Sequence, residues 1–149
     1  MHIPFHKPDI PEDLNKIFSN SIKSGWLTTG SVVEEFENRL MKFLDADYVI
    51  GVNSCTAALH LALAAKGFKR GQKYITPTLT FASTVECGEY LGMEPILVDS
   101  DYKTFNMKIE DIEHKITTKT KAIMVVRIFG LSVDLDPILK LAKKRKLII

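Results

Sequence analysis

The stretch Tyr48-Val-Ile-Gly-Val-Asn-Ser-Cys-Thr-Ala-Ala-Leu-His-Leu-Ala-Leu-Ala64 passes from an apolar run, through a short polar loop, into an alanine-rich segment. Its pattern predicts a strand over residues 48–52 and a helix over residues 56–66 that Gly67 stops. A strand-to-helix junction of this kind gathers the free N–H groups of a helix N-terminus and the hydroxyls of Ser54 and Thr56 at one point. Unsatisfied amide donors and the positive end of the helix dipole favour an anion there, a phosphate above all. No glycine-rich fingerprint is present, so the junction is neither a P-loop nor a dinucleotide turn. The same residues admit a plainer reading, in which Ser54 or Thr56 caps its own helix.

Working outward, the elements alternate. Upstream, an extended start punctuated by prolines gives way to a helical stripe of Leu14, Ile17, Phe18 and Ile22 that ends at Gly25. Trp26-Leu-Thr-Thr-Gly30 reads as an exposed turn, and Ser31-Val-Val-Glu34 has the spacing of a capping box. Val33, Phe36, Leu40 and Phe43 form the apolar face of the helix that follows.

Downstream, residues 73–76 form a strand closed by Pro77, residues 81–91 a helix with Gly92 near its end, and residues 95–98 a strand followed by Asp99. Residues 109–116 read as a helix, and 122–126 as a buried strand running on to Gly130. Asp134 or Asp136 caps a helix with Pro137 in its first turn, and that helix ends in the basic run Lys143-Lys-Arg-Lys146. Leu147-Ile-Ile149 reads as the opening of one more strand, so the sequence is expected to be part of a longer protein. Continuous apolar strands alternating with amphipathic helices give an α/β class with a mostly parallel sheet flanked by helices. Neither repeats nor low-complexity segments interrupt it.

Composition narrows the function classes. A chain of 149 residues, 46% hydrophobic and 26% charged, is that of an ordinary globular protein with one core. Its net charge of +2 gives no reason to expect nucleic acid or an anionic membrane as partner. Cys55 and Cys87 lack CxxC spacing and a nearby histidine cluster, so they read as reduced thiols rather than a metal site or a disulfide framework. Residues 1–9 lack the apolar core of a signal peptide, and no run reaches transmembrane length. A cytoplasmic location is the expectation.

The remaining candidates follow from the alternation. Thr76-Pro-Thr-Leu-Thr-Phe-Ala-Ser83 also leaves a strand and enters a helix, so in a parallel sheet it shares the carboxyl rim with residues 54–56. Phe81 would lie beside the anion site, where its ring could stack on a planar ligand; alone, it reads more readily as a core phenylalanine. His60 reads as a packed or partly exposed helix residue rather than a catalyst, and Asp99 and Asp101 as turn or ligand residues. Trp26, with Thr28 and Thr29, suggests a contact with a ligand or another subunit. The basic run complements the negative end of its helix.

The ordered set Ser24-Gly-Trp-Leu-Thr-Thr-Gly30, Glu35-Phe-Glu37, Asn53-Ser-Cys-Thr-Ala-Ala-Leu-His60, Pro77-Thr-Leu-Thr-Phe81 and Asp99 closely resembles the amino-terminal part of the DegT/DnrJ/StrS-type sugar aminotransferases. The resemblance covers essentially the whole chain. It implies residues 1–149 of an incomplete large domain of the fold-type I architecture, with the rest of that domain and a smaller carboxyl-terminal domain absent. It further implies pyridoxal 5'-phosphate as cofactor, a homodimer, and transfer of an amino group, usually from glutamate, to a nucleotide-linked keto sugar. Such reactions make deoxyamino sugars for surface polysaccharides. By the same resemblance Ser54, Cys55 and Thr56 hold the cofactor phosphate, Phe81 stacks on the pyridine ring, and Trp26, Thr28 and Thr29 lie on the sugar-nucleotide side. Many members have glycine at Cys55, a change that a backbone contact survives.

Two features qualify the resemblance. Members commonly have histidine where Arg127 precedes Ile-Phe-Gly130. In the family, the aspartate that pairs with the pyridine nitrogen and the lysine that forms the Schiff base come after the segment matching residues 147–149. No catalytic residue is therefore assigned among the 149, and the polypeptide alone is expected to be inactive. A sugar dehydratase of the same family, with histidine at the lysine position, and a non-catalytic member are the alternatives.

Overall fold

The computed structural model describes residues 3, 4 and 6–149. The reading of residues 1–9 thus falls partly outside the described residues. The chain divides into two compact units, Met1–Gly51 and Val52–Ile149.

The first unit holds two helices, α1 (Leu14–Lys23) and α2 (Ser31–Leu44). Helix α1 stops where expected, with Gly25 at φ 70°. The capping box at Ser31 does not form. Gly30 is the N-cap, in extended backbone and with no side-chain cap bond, so Ser31 is already helical. Gly30 is required by the turn before it: a Cβ there would stand 2.6 Å from Cδ1 of the Trp26 indole.

Residues 48–52 are not a strand. They form no ladder among the described residues, and Tyr48 and Ile50 are exposed. Gly51 N–H donates instead to the Glu37 carboxylate of α2 at 2.6 Å. An apolar run becomes a strand only when another strand supplies its hydrogen-bond partners, and none pairs with this one among the described residues.

The second unit is a three-layer α/β sandwich. Its elements are α3 (Cys55–Ala65), β1 (Lys73–Pro77), α4 (Ser83–Glu89), β2 (Glu94–Val98), α5 (Ile109–Lys115), β3 (Thr120–Ile123) and α6 (Leu135–Arg145). The sheet is parallel with order β2-β1-β3, in register Ile75 to Ile96 and Ile75 to Ile123. Ile148 adds a single isolated parallel bridge to Ala122, so the run 147–149 lies beside β3 without forming a strand of its own.

Period-two alternation sorts the core. Ile75, Val98 and Ile123 pack with Ile112 of α5 and with Ile138 and Ala142 of α6. Tyr74 and Ala122 face the other way, onto Met93, Phe68 and Leu91, the side on which α3 packs against α4 and α4 against the sheet. Central β1 is buried from Tyr74 to Pro77, as a strand covered on both faces must be.

Some boundaries differ from the sequence reading. Helix α4 is shorter than 81–91 because Phe81 and Ala82 form a tight turn that hands their carbonyls to Thr84 and Val85. β3 spans Thr120–Ile123 rather than 122–126; after a last bond from Met124 N–H to Ile75 O at 2.8 Å the chain leaves the sheet and passes through a single 3-10 turn, Ile128–Gly130.

Candidate functional site

Helices α3 and α4 set the site. Phe68, just past the end of α3, and Leu91, just past the end of α4, both pack on the cluster of Tyr74, Met93 and Ala122, which lies near the starts of β1 and β2. Both helices therefore finish at the amino edge of the sheet. Helix α3 has 11 residues and β1 has 5, and at ~1.5 and ~3.3 Å per residue each is roughly 16 Å long. The N-terminus of α3 thus lies toward the carboxyl rim, as does the loop that carries Phe81 out of β1.

At that N-terminus Ser54 is the cap, its Oγ accepting from the Ala57 N–H at 3.1 Å while its carbonyl accepts from Ala58. The plainer reading of Ser54 is therefore realised. It does not use up the site, since the N–H groups of Cys55 and Thr56 have no hydrogen-bond partner among the described residues. Cys55 is exposed and Thr56 half-buried. The donors at this point are thus two backbone N–H groups, the Thr56 hydroxyl and the Ser54 hydroxyl, the last 3.5 Å from Asn53 Oδ1, at the positive end of an 11-residue helix.

Phe81 is 78% exposed, which rules out the core reading in this structure. Its loop is braced from behind: the Thr80 hydroxyl donates to Thr84 Oγ1 at 2.7 Å, and Phe81 O accepts from Thr84 N–H at 3.0 Å. An exposed ring held on a braced turn is suited to stack on a planar ligand.

Trp26, Thr28 and Thr29 belong to the first unit and are described with it alone. The indole N–H of Trp26 donates to Thr29 O at 2.7 Å, so this donor is occupied locally and only the ring is presented to surroundings. His60 meets Tyr90 edge to face, with ring centroids 5.5 Å apart, as a packed helix residue does. Lys144 and Arg145 at the end of α6 reach Glu113 of α5 at 3.6 and 3.5 Å, a structural use of the basic run.

Asp99 and Asp101 act as turn residues. Asp99 accepts from Ser100 N–H and faces Lys108 at 3.7 Å. Asp101 Oδ1 accepts from the Thr104 N–H at 2.8 Å, the Thr104 hydroxyl at 2.9 Å and the Lys103 N–H at 3.0 Å. The Thr104 bonds hold its carboxyl below the ordinary value of 3.8, with smaller help from Lys103 and the Lys108 charge. Burial pushes the Tyr74 phenol up, with Cys87 and Glu89 adding to the effect, and its hydroxyl donates to Val85 O.

Sequence reasoning missed Asn106. This buried side chain links the loops after β2 and β3, accepting from Ile128 N–H at 3.3 Å and donating to Leu131 O at 3.5 Å. The Asp101-x-x-Thr104-x-Asn106 spacing, a turn ending on a buried amide, was the available signal. Among the described residues no cluster of His, Cys, Asp and Glu could hold a metal, and no helix is long and apolar enough to cross a membrane.

A parallel sheet with helices on both faces, a helix N-terminus and a braced aromatic on its carboxyl rim defines an α/β domain of the doubly wound type. The DegT/DnrJ/EryC1/StrS aminotransferase family model matches residues 8–149, and the chain belongs to that family. It is 39% identical to GDP-perosamine synthase of Escherichia coli O157:H7 over 99% of this chain and 41% of the relative. To the spore coat polysaccharide biosynthesis protein SpsC of Bacillus subtilis it is 37% identical, over 99% of this chain and 38% of the relative. Among solved structures, the pyridoxal phosphate form of a sugar aminotransferase from Streptococcus pneumoniae superposes with a TM-score of 0.91 at 33% identity, over 100% of this chain and 38% of the other. The chain thus spans about two fifths of the length of the proteins it matches.

Proposed function

We propose that residues 1–149 are the amino-terminal part of the large domain of a pyridoxal-phosphate-dependent aminotransferase. It acts on a nucleotide-linked keto sugar with glutamate as amino donor, in the making of deoxyamino sugars for surface polysaccharide. One observation supports the reading above the others: two unpartnered N–H groups at the start of α3 share the carboxyl rim with the exposed ring of Phe81. That donor set fits a phosphate joined to a flat heteroaromatic ring. The family match and the cofactor form of the solved relative agree with it.

In this reading Cys55 and Thr56 offer their N–H groups, and Ser54 and Thr56 their hydroxyls, to the phosphate, while Ser54 Oγ also keeps the helix end in shape by accepting from Ala57 N–H. Phe81 covers one face of the ring and excludes water from it. Trp26, Thr28 and Thr29 serve the sugar-nucleotide side. When bound, the cofactor supplies an electron sink for the charge left when a proton leaves the carbon bearing the amino group. The enzyme is proposed to be cytoplasmic and homodimeric.

The test is absorbance. The full-length gene product, loaded with pyridoxal phosphate and given glutamate, is expected to convert the bound cofactor to its pyridoxamine form, with the accompanying spectral shift. Absence of the shift would overturn the reading; loss of a sugar hydroxyl without net amination would move it to the dehydratase alternative. The 149-residue polypeptide alone is expected to give no shift, since the resemblance puts neither the Schiff-base lysine nor the ring-pairing aspartate among its residues.

A further inference from the structure

The loops after β2 and β3 meet without belonging to the phosphate cup or the ring-stacking position. The loop after β2 wraps around Asp101, whose N–H also donates to Asn106 O at 2.7 Å. This delivers Asn106, 6% exposed, to the loop after β3, where it takes Ile128 N–H and gives to Leu131 O. Each loop places a phenylalanine in left-handed backbone, Phe105 at φ 60° and Phe129 at φ 52°, and the two rings meet edge to face with centroids 6.4 Å apart. Such a conformation costs about 1 kcal/mol or more for a non-glycine residue, so the cross-loop contacts are needed to hold it.

The location is informative. β2 and β3 flank β1 on opposite sides, and their carboxyl-end loops bridge the point where the strand order reverses, the place where open α/β sheets bind ligands. Arg127 immediately precedes the pinned segment. It is exposed, and among the described residues no carboxylate pairs with it. A guanidinium keeps its charge across the working pH range and offers paired N–H donors that match a carboxylate or phosphate.

We propose that Arg127 binds an oxyanion of the substrate at this switch point, and that Asn106 is the positioning residue that holds its loop there. The inference rests on the aminotransferase reading and deepens it. The oxyanion belongs either to the carboxylate of the amino donor or to the diphosphate of the nucleotide-linked sugar.

The experiment uses the full-length enzyme and follows each half-reaction alone by rapid-mixing absorbance, once with glutamate and once with the nucleotide sugar. No shift in the wild type would sink the aminotransferase reading itself. With an active wild type, Arg127→Met is expected to weaken the apparent affinity for one substrate at least tenfold. The other substrate, the cofactor spectrum and Tm should stay as they were. Weakening toward glutamate assigns the carboxylate; weakening toward the sugar nucleotide assigns the diphosphate. Asn106→Ala should reproduce the same selective loss, and the double variant should be no worse than Arg127→Met, because aiming the loop is irrelevant once the guanidinium is gone. A merely structural Asn106 would lower Tm without a substrate-selective change. Should Asn106→Ala fail to fold, Asn106→Asp, which keeps the acceptor and loses the donor, replaces it in the cycle. Affinities within twofold of wild type for both substrates in Arg127→Met, an equal loss for both, or additive losses in the double variant overturn the proposal.

Discussion

Ser54 and Phe81 separate two jobs that the sequence leaves entangled. Ser54 Oγ holds Ala57 N–H, so its removal is a stability effect first. Ser54→Ala is expected to destabilise the second unit by about 1 kcal/mol, the usual effect of losing an N-cap, read as a lower urea midpoint at unchanged slope. Phe81 is the converse case. Its ring is exposed, so Phe81→Ala should leave that midpoint unchanged. In the full-length protein the same change should weaken pyridoxal phosphate binding by roughly two- to thirteenfold, the 0.5–1.5 kcal/mol of a ring pair, measured by fluorescence titration, and Phe81→Tyr should restore it. A drop in stability with no change in cofactor binding would return Phe81 to the core role that the residue alone suggests.

At the scale of elements, the loop after β2 is a small electrostatic device. Three donors converge on Asp101 Oδ1, and they hold the carboxyl below its ordinary 3.8. A depressed folded-state value means the stabilisation is fully present above 3.8 and is lost as pH falls through the lower folded value. Thermal unfolding followed between about pH 5 and pH 2 should therefore show an acid-dependent loss that flattens in Asp101→Asn; an unchanged slope would rule the device out. This loop also shows where sequence reasoning stops. Helices α1, α2, α3 and α6, and strands β1 and β2, could be read from apolar spacing and from glycine and proline stops. Residues 48–52 could not, because an apolar run does not reveal whether a ladder partner exists. Asn106 could not, because its role depends on partners 22 and 25 residues away in sequence meeting it in space. The placing of Ser54, Thr56 and Phe81 on one rim was expected from two strand-to-helix junctions, yet only the Phe81 loop leaves a strand, and α3 reaches the rim through its length instead.

Among the described residues, the second unit owns a core and the first does not. No residue of α1 or α2 is buried, and Phe18, Ile22, Phe36 and Phe43 are all more than half exposed. The sequence announced these apolar stripes through their helical spacing, yet periodicity tells which face is apolar and nothing about what lies against it. Apolar faces left open on this scale attract other apolar surface. The 149-residue polypeptide is therefore expected to bind 8-anilinonaphthalene-1-sulfonate strongly and to self-associate as its concentration rises. Replacing Ile22 and Phe36 with serine should reduce both signals. The urea midpoint of the second unit should not move, since neither side chain belongs to its core. Dye binding that survives the two substitutions would place the open surface in the α/β unit instead, and would mean that its two packed faces are looser than their buried residues indicate.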